Sequence, residues 1–164
     1  MTKTAIYPGS FDPVTNGHVD IVKRGTLLFD KVIVTILHNI GKKSLFSVEE
    51  RLEMLHESLD DQQNVEIETF DGLTVDYAES KNAVAILRGM RAVSDFESEF
   101  QLALMNRRLN RKVQTVFLMT GLRWIFVGSS IIKEAAQFGG NIEGLVPPFV
   151  EEKLKAKFAS RGSF

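Results

Sequence analysis

Tyr7-Pro8-Gly9-Ser10-Phe11-Asp12-Pro13-Val14-Thr15-Asn16-Gly17-His18 follows a short apolar strand and runs straight into an amphipathic helix. The stretch reads as a phosphate cradle. Gly9 and Gly17 are expected to take backbone angles closed to other residues and to let a ligand approach the main chain, while Pro8 and Pro13 stiffen the turn between them. Asn16 is placed to cap a helix beginning near Gly17, whose first free N–H groups and positive dipole end would face an anion. His18 falls in the first helical turn, where an imidazolium is disfavoured. It should therefore be neutral in the empty site and become a better donor as phosphate charge builds beside it. Any strand-to-helix connection can be rich in Gly, Pro and Asn. Two glycines, the Ser10 hydroxyl and a histidine converging on one helix start favour the anion site.

Outward from this stretch, strands and helices alternate. Ala5 to Tyr7 is a short strand, followed by a helix with Val19, Val22, Thr26 and Phe29 at near-helical spacing. Val32 to Leu37 is apolar on both faces, as a covered parallel strand is. Ser47-Val48-Glu49-Glu50 is a capping box for a helix with Leu52, Leu55 and Leu59 inward. Val65 to Phe70 predicts a third strand, Leu73 to Lys81 a short helix, and Ala83 to Leu87 a fourth strand. A second box, Ser94-Asp95-Phe96-Glu97, is expected to open a long helix with Phe96, Phe100, Ala103 and Leu104 inward. Thr115 to Met119 is the fifth strand; Ser129-Ser130 should cap a helix over Ile131 to Phe138, and a last helix covers Phe149 to Phe158. The alternation predicts an α/β protein with an open, doubly wound parallel sheet of five strands. In such sheets ligands bind where the strand order reverses. Orders 2-1-3-4-5 and 3-2-1-4-5 both fit. The second places the loop after strand four across the crevice from the loop after strand one, and those loops hold the two richest motifs, so 3-2-1-4-5 is expected.

With 164 residues, 44% hydrophobic and 25% charged, the chain suffices for one core and is short for two, so residues 1–164 are expected to form a single domain. A net charge of -1 argues against a protein that coats nucleic acid. There is no cysteine, hence no disulfide, thiolate metal site or thiol nucleophile. No segment is apolar for long enough to span a bilayer, and no signal peptide precedes Tyr7, so a cytoplasmic protein is expected.

Positive charge gathers at strand ends, with Lys42 and Lys43 after strand two and Arg88 and Arg91 after strand four. Arg88 directly follows an apolar run, where a solvated charge is less expected, and a guanidinium suits phosphate. Lys43 reads as an ordinary surface charge. Asp95 and Glu99 lie four apart on one helix face, which also suits acids near a helix N-terminus.

The run from Gly9 to Pro13 followed by Thr15-Asn16-Gly17-His18 resembles the T/HxGH signature of the nucleotidylyltransferase superfamily. The Thr-x-Gly-His form, with Arg88-Gly89-Met90-Arg91-Ala92-Val93-Ser94-Asp95-Phe96-Glu97, resembles the phosphopantetheine adenylyltransferase family over nearly the whole chain. The resemblance implies a Rossmann-like nucleotidylyltransferase fold of order 3-2-1-4-5. It also implies adenylyl transfer from ATP to 4'-phosphopantetheine, giving dephospho-coenzyme A and pyrophosphate in coenzyme A synthesis. His18 would stabilise the transferring phosphoryl group. Ser10, Lys42 and Arg88 would hold the acceptor phosphate, and Thr74 its pantetheine arm. ATP would lie against Ser10, Phe11, His18, Gly89, Met90, Arg91 and Glu99, and against Trp124, Ile125, Phe126, Val127, Gly128, Ser129 and Ser130. Mg²⁺ would come with ATP, held mainly by ATP oxygens and water, because no dedicated carboxylate cage is visible. The implied assembly is a homohexamer, a dimer of trimers. No general base is required, since a phosphate monoester with a second pKa of about 6 is already largely dianionic at neutral pH.

The chain departs from the family at the last motif, where relatives carry an Ile-Ser-Ser-Ser-type sequence. Gly128 replaces the first serine, Ile125 stands where a serine precedes the phenylalanine, and Thr120-Gly121-Leu122-Arg123 is atypical. If the serine hydroxyl bonds an ATP phosphate, Gly128→Ser should tighten ATP binding; if Gly128 serves a special backbone angle, the same change should weaken it. The lost hydroxyl is the favoured account. Alternatives to the whole reading are a nucleotidylyltransferase for nicotinate mononucleotide or glycerol phosphate, whose members generally show His-x-Gly-His, and a non-catalytic nucleotide-binding domain. A receiver-like domain would carry an acidic pair after strand one, where this loop has Asp12 alone.

Overall fold

A computed structural model describes residues 1–38, 41 and 43–161. Five parallel strands, β1 (Thr4–Gly9), β2 (Lys31–Leu37), β3 (Val65–Phe70), β4 (Ala85–Met90) and β5 (Gln114–Met119), form one sheet of order β3-β2-β1-β4-β5. The helices are α1 (Asn16–Leu28), α2 (Val48–Ser58), α3 (Thr74–Ser80), α4 (Val93–Leu109), α5 (Ser129–Gln137) and α6 (Pro148–Ala159), with a 3₁₀ turn at Leu122–Trp124. The strand order is the expected one.

Alternation along the central strands builds two cores, because successive side chains point to opposite faces. Ala5, Tyr7, Val32, Val34, Ile36, Ala85 and Leu87 join Ile21 and Val22 of α1, Met54 and Leu55 of α2, Ile132 of α5 and Leu154 of α6. Ile6, Ile33 and Ile86 face the other way, onto Val75, Tyr77 and Ala78 of α3. The Ser47 box is present, with Glu50 N donating to Ser47 Oγ at 3.1 Å and Ser47 N to Glu50 Oε2 at 2.7 Å.

Two features of the sheet position the site. β1 pairs with β2 from Thr4↔Lys31 to Gly9↔Ile36 but with β4 only at Ala5↔Ala85 and Ile6↔Ile86. Pro8 has no N–H to offer a ladder, so the two strands part beyond Ile6 and a crevice opens at the switch point. β4 also runs on to Met90, past the expected end at Leu87, so Arg88 is a strand residue and not the residue after one.

Four other expectations are corrected. Phe96, Phe100 and Leu104 of α4 are not inward; they are 50%, 47% and 53% exposed, and among the described side chains of α4 no apolar one is buried. α4 starts at Val93 with Ala92 as N-cap, ahead of the Ser94 box, and no side chain caps it. Gly9 and Gly17 do not adopt left-handed angles; the residue that does in this loop is Phe11, at φ 47°. Gly9 is needed for space instead, since a Cβ there would stand 3.0 Å from Cζ of the Phe11 ring folded beneath it. Ser129 and Ser130 do not cap α5 but form its first turn, with Gly128 as the N-cap. Among the described residues no helix is long and apolar enough to cross a membrane.

Candidate active site

The crevice between β1 and β4 continues into a cleft of about 530 Å³ walled by Tyr7 to Asp12, Thr15, Gly17 and His18 on one side and Arg88, Gly89, Arg91, Asp95 and Glu99 on the other. Val127 to Ile131 and Lys133 close it, together with Ser44, Ser98 and Thr120.

The Thr-x-Gly-His spacing sets the histidine. Thr15, not Asn16, is the N-cap of α1, and His18 at the third helical position completes a capping box. His18 N donates to Thr15 Oγ1 at 3.3 Å, and Thr15 N donates to His18 Nδ1 at 3.0 Å. A main-chain N–H can only donate, so Nδ1 must be bare and the neutral ring carries its proton on Nε2. Burial, helped by the positive charge of Arg91, pushes the pKa of His18 down to about 4. Asn16 is used elsewhere, its Nδ2 and the Trp124 Nε1 both donating to Gly144 O, at 2.7 Å and 3.4 Å.

Among the described residues three cations face the cleft, each with a carboxylate. Arg88 makes a two-pronged contact to Glu99, Nη2–Oε1 2.6 Å and Nε–Oε2 2.7 Å, and Nη1 donates to Pro8 O at 3.2 Å across the parted strands. Among the described residues three of the five guanidinium N–H groups are thus engaged, which leaves two for a ligand. Arg91 Nε lies 3.4 Å from Asp95 Oδ2, and its Nη1 donates to Val127 O at 3.2 Å. Lys133 Nζ lies 3.0 Å from Asp12 Oδ2. The first turn of α5 has no side-chain cap and faces the cleft through Ser129 and Ser130, as an anion-binding helix start does. Cations held by acids, uncapped helix amides and a neutral imidazole N–H make a fixed set of donors for a polyphosphate.

The cytidylyltransferase-like family matches residues 6–135 of this chain. A phosphopantetheine adenylyltransferase of Desulfosudis oleivorans is 72% identical over 155 residues, covering 94% of this chain and 92% of that protein. One from Desulfatibacillum aliphaticivorans is 69% identical over 164 residues, covering 100% of this chain and 94% of that protein. The chain belongs to the cytidylyltransferase-like family and, within it, to the phosphopantetheine adenylyltransferases. A solved structure from Vibrio parahaemolyticus, assigned as a nicotinate-nucleotide adenylyltransferase, superposes with a TM-score of 0.71 over 99% of this chain and 98% of that one at 17% identity, which shows the shared fold.

Within this phosphopantetheine adenylyltransferase family member, Ser10, Phe11, His18, Arg88, Gly89, Arg91, Glu99, Val127, Gly128, Ser129 and Ser130 converge on the cleft. Met90, Thr74, Trp124, Ile125 and Phe126 are not part of its wall. Thr74 opens α3, and Trp124 ends the 3₁₀ turn with its indole bonded to Gly144. Lys42 lies outside the described residues. Glu99 holds Arg88, a pairing that the expectation of nucleotide contact did not include. Ser129 is tied as well, its Oγ donating to Pro13 O at 2.8 Å and fastening α5 to the cradle.

Sequence reasoning missed Lys133, Arg51 and the role of Asp12. Lys133 follows Ser129 by one helical turn, a spacing that places both on one face. Asp12 is 5% exposed and accepts from Leu45 N and Phe46 N at 2.9 Å each as well as from Lys133, clamping the chain beyond β2 to the cradle. The buried Arg51 donates to Ser10 O at 2.8 Å and holds the cradle from behind. Asp12 stands in the opening motif, whereas Arg51 and Lys133 lie within α2 and α5, outside any motif that the sequence displays.

Proposed function

We propose that the chain transfers the adenylyl group of ATP to 4'-phosphopantetheine, releasing pyrophosphate and forming dephospho-coenzyme A. The observation that carries this reading is the meeting of the Thr15-to-His18 capping box, Arg88 and the uncapped start of α5 in one cleft, in a chain 72% identical to a phosphopantetheine adenylyltransferase. In-line transfer asks for alignment of a dianionic acceptor with the α-phosphorus and for donors that meet the charge in flight. His18 Nε2–H, protonated while the ring stays neutral, is such a donor. Ser10 and Arg88, with Lys42, receive the acceptor phosphate; Arg91 and the first turn of α5 receive ATP. Arg88 and Arg91 are already held in place by Glu99 and Asp95, so their side-chain ordering cost is largely met before substrate arrives.

Mg²⁺ enters as part of the ATP substrate. Among the described residues no three His, Asp or Glu side chains are grouped to hold a metal, and the cleft acids Asp12, Asp95 and Glu99 are engaged by Lys133, Arg91 and Arg88. The cytoplasm, where ATP is supplied, is the proposed location. The deciding experiment compares pyrophosphate release from ATP and Mg²⁺ with phosphopantetheine, nicotinate mononucleotide and glycerol phosphate as acceptors. Phosphopantetheine alone should support turnover; release with another acceptor only would overturn the assignment.

The proposed assembly is a homohexamer. Phe96, Phe100 and Leu104 lie four apart on one face of α4 and are about half exposed, with Leu102, Met105 and Leu109 also exposed on that helix. An apolar helix face of this extent is normally covered. Light scattering is expected to report about six chains per particle, consistent with closed symmetry, and Phe100→Glu to break the particle into smaller species. A wild-type monomer in dilute buffer would reject the assembly.

A further inference from the structure

Gly128 is extended, at φ -127° and ψ 148°, a conformation open to any residue. A special backbone angle is therefore not the reason for glycine here. The space above it is already taken. A Cβ built on Gly128 would fall far inside van der Waals contact of Arg91 Nη1, with Arg91 Cζ at 3.5 Å and Nη2 at 3.9 Å, so the guanidinium lies across the bare Cα. It is held there from two sides, by Asp95 at its Nε and by the Val127 carbonyl at its Nη1. The position is one that a cation on its own would avoid, beside the positive end of α5. A polyanion in the cleft turns that juxtaposition into an attraction.

We infer that Gly128 is a positioning residue for ATP: by carrying no side chain, it seats the Arg91 guanidinium on the Val127 carbonyl at the start of α5, where the arginine supplies the phosphate contact that a hydroxyl at 128 would otherwise supply. This rests on the proposed binding of ATP phosphates at that helix start. The account reverses the sign expected from a lost hydroxyl. In Gly128→Ser the atom in the way is the far end of a flexible, part-exposed side chain, so folding tolerates the change while the seat of Arg91 is lost. Gly128→Ala makes the same collision and offers no hydroxyl.

The test is ATP titration calorimetry on the full chain for wild type, G128A, G128S, R91A and the double variant R91A/G128S, with thermal melts alongside. Both Gly128 variants should melt close to wild type yet bind ATP about tenfold or more weakly, the loss expected for a displaced charge-assisted hydrogen bond. R91A should weaken binding in the wild-type background and add little in G128S, the non-additivity of two changes that remove one contact. A titration of His18 followed by NMR should also move up toward the free value in G128A, as the Arg91 charge leaves its vicinity. Unchanged or tighter binding by G128S, or additive losses in the double variant, would overturn the inference while leaving the adenylyl-transfer reading intact. Failure of the wild-type chain to bind ATP would bring down both.

Discussion

His18→Ala is expected to lower kcat by about 10²- to 10³-fold, the loss seen when one preorganised donor to a developing oxyanion is removed, while ATP affinity changes little. The capping box gives the reason for the size. Thr15 N–H occupies Nδ1, so the imidazole is locked in rotamer and tautomer before substrate enters, and no reorganisation is needed at the moment of transfer. Single-turnover rates at saturating ATP would show the loss in the chemical step, and near-normal turnover would remove His18 from the mechanism. The bond from Thr15 N to Nδ1 is lost along with the ring, at about 1 kcal/mol for one hydrogen bond, while the main-chain N–H at position 18 keeps its bond to Thr15 Oγ1, so a melt must accompany the assay. The same residue sets a pH response. Its pKa is about 4 in the fold against 6.5 free, so below about pH 6.5 the unfolded chain binds a proton that the native state refuses. Stability from this group is complete above pH 6.5 and is lost as pH falls toward 4. Denaturant melts at pH 7 and pH 5 should differ less in His18→Ala than in wild type.

Asp12→Ala should cost stability rather than chemistry alone, by about 3 to 5 kcal/mol, the range for stripping one partner from a buried ion pair. The carboxylate is 5% exposed and serves three donors, Leu45 N, Phe46 N and Lys133 Nζ. Burial by itself would raise its pKa, but those hydrogen bonds and the Lys133 charge outweigh burial and hold the carboxyl below its usual range. A depressed carboxylate pKa stabilises the fold above the unfolded value near 4 and loses that contribution as pH drops through the folded value. The Asp12 and His18 effects therefore have the same sign, and the chain should be markedly acid-labile. Asp61→Ala is the control: its partner Lys23 and Asp61 itself are about half exposed, at 49% and 56%, and the change should cost less than about 1 kcal/mol. A urea melt in which both variants shift equally would show that the Asp12 clamp is not special.

The amino-acid sequence alone determined the alternation of strands and helices, the order 3-2-1-4-5, the cradle after β1 and a neutral His18 at a helix start. Those features are legible because they are local. Side-chain periodicity and capping preferences act over a few residues, and one rule of α/β topology then places the two richest loops at the switch point. Even there the cap proved to be Thr15 and not Asn16, because reciprocal bonding between the cap and the third helical residue selects the residue three before His18. Tertiary structure alone decided the partners. Glu99 meets Arg88 because α4 folds back over the end of β4, and Lys133 reaches Asp12 across 121 residues because α5 is pinned to the cradle through Ser129 and Pro13. Arg91 settles on Gly128 because β4 ends opposite the start of α5. The outward face of α4 is not legible in the sequence for the same reason. Periodicity shows that a helix has an apolar stripe; what covers that stripe depends on which surface lies opposite, and Phe96, Phe100 and Leu104 stay about half exposed among the described residues.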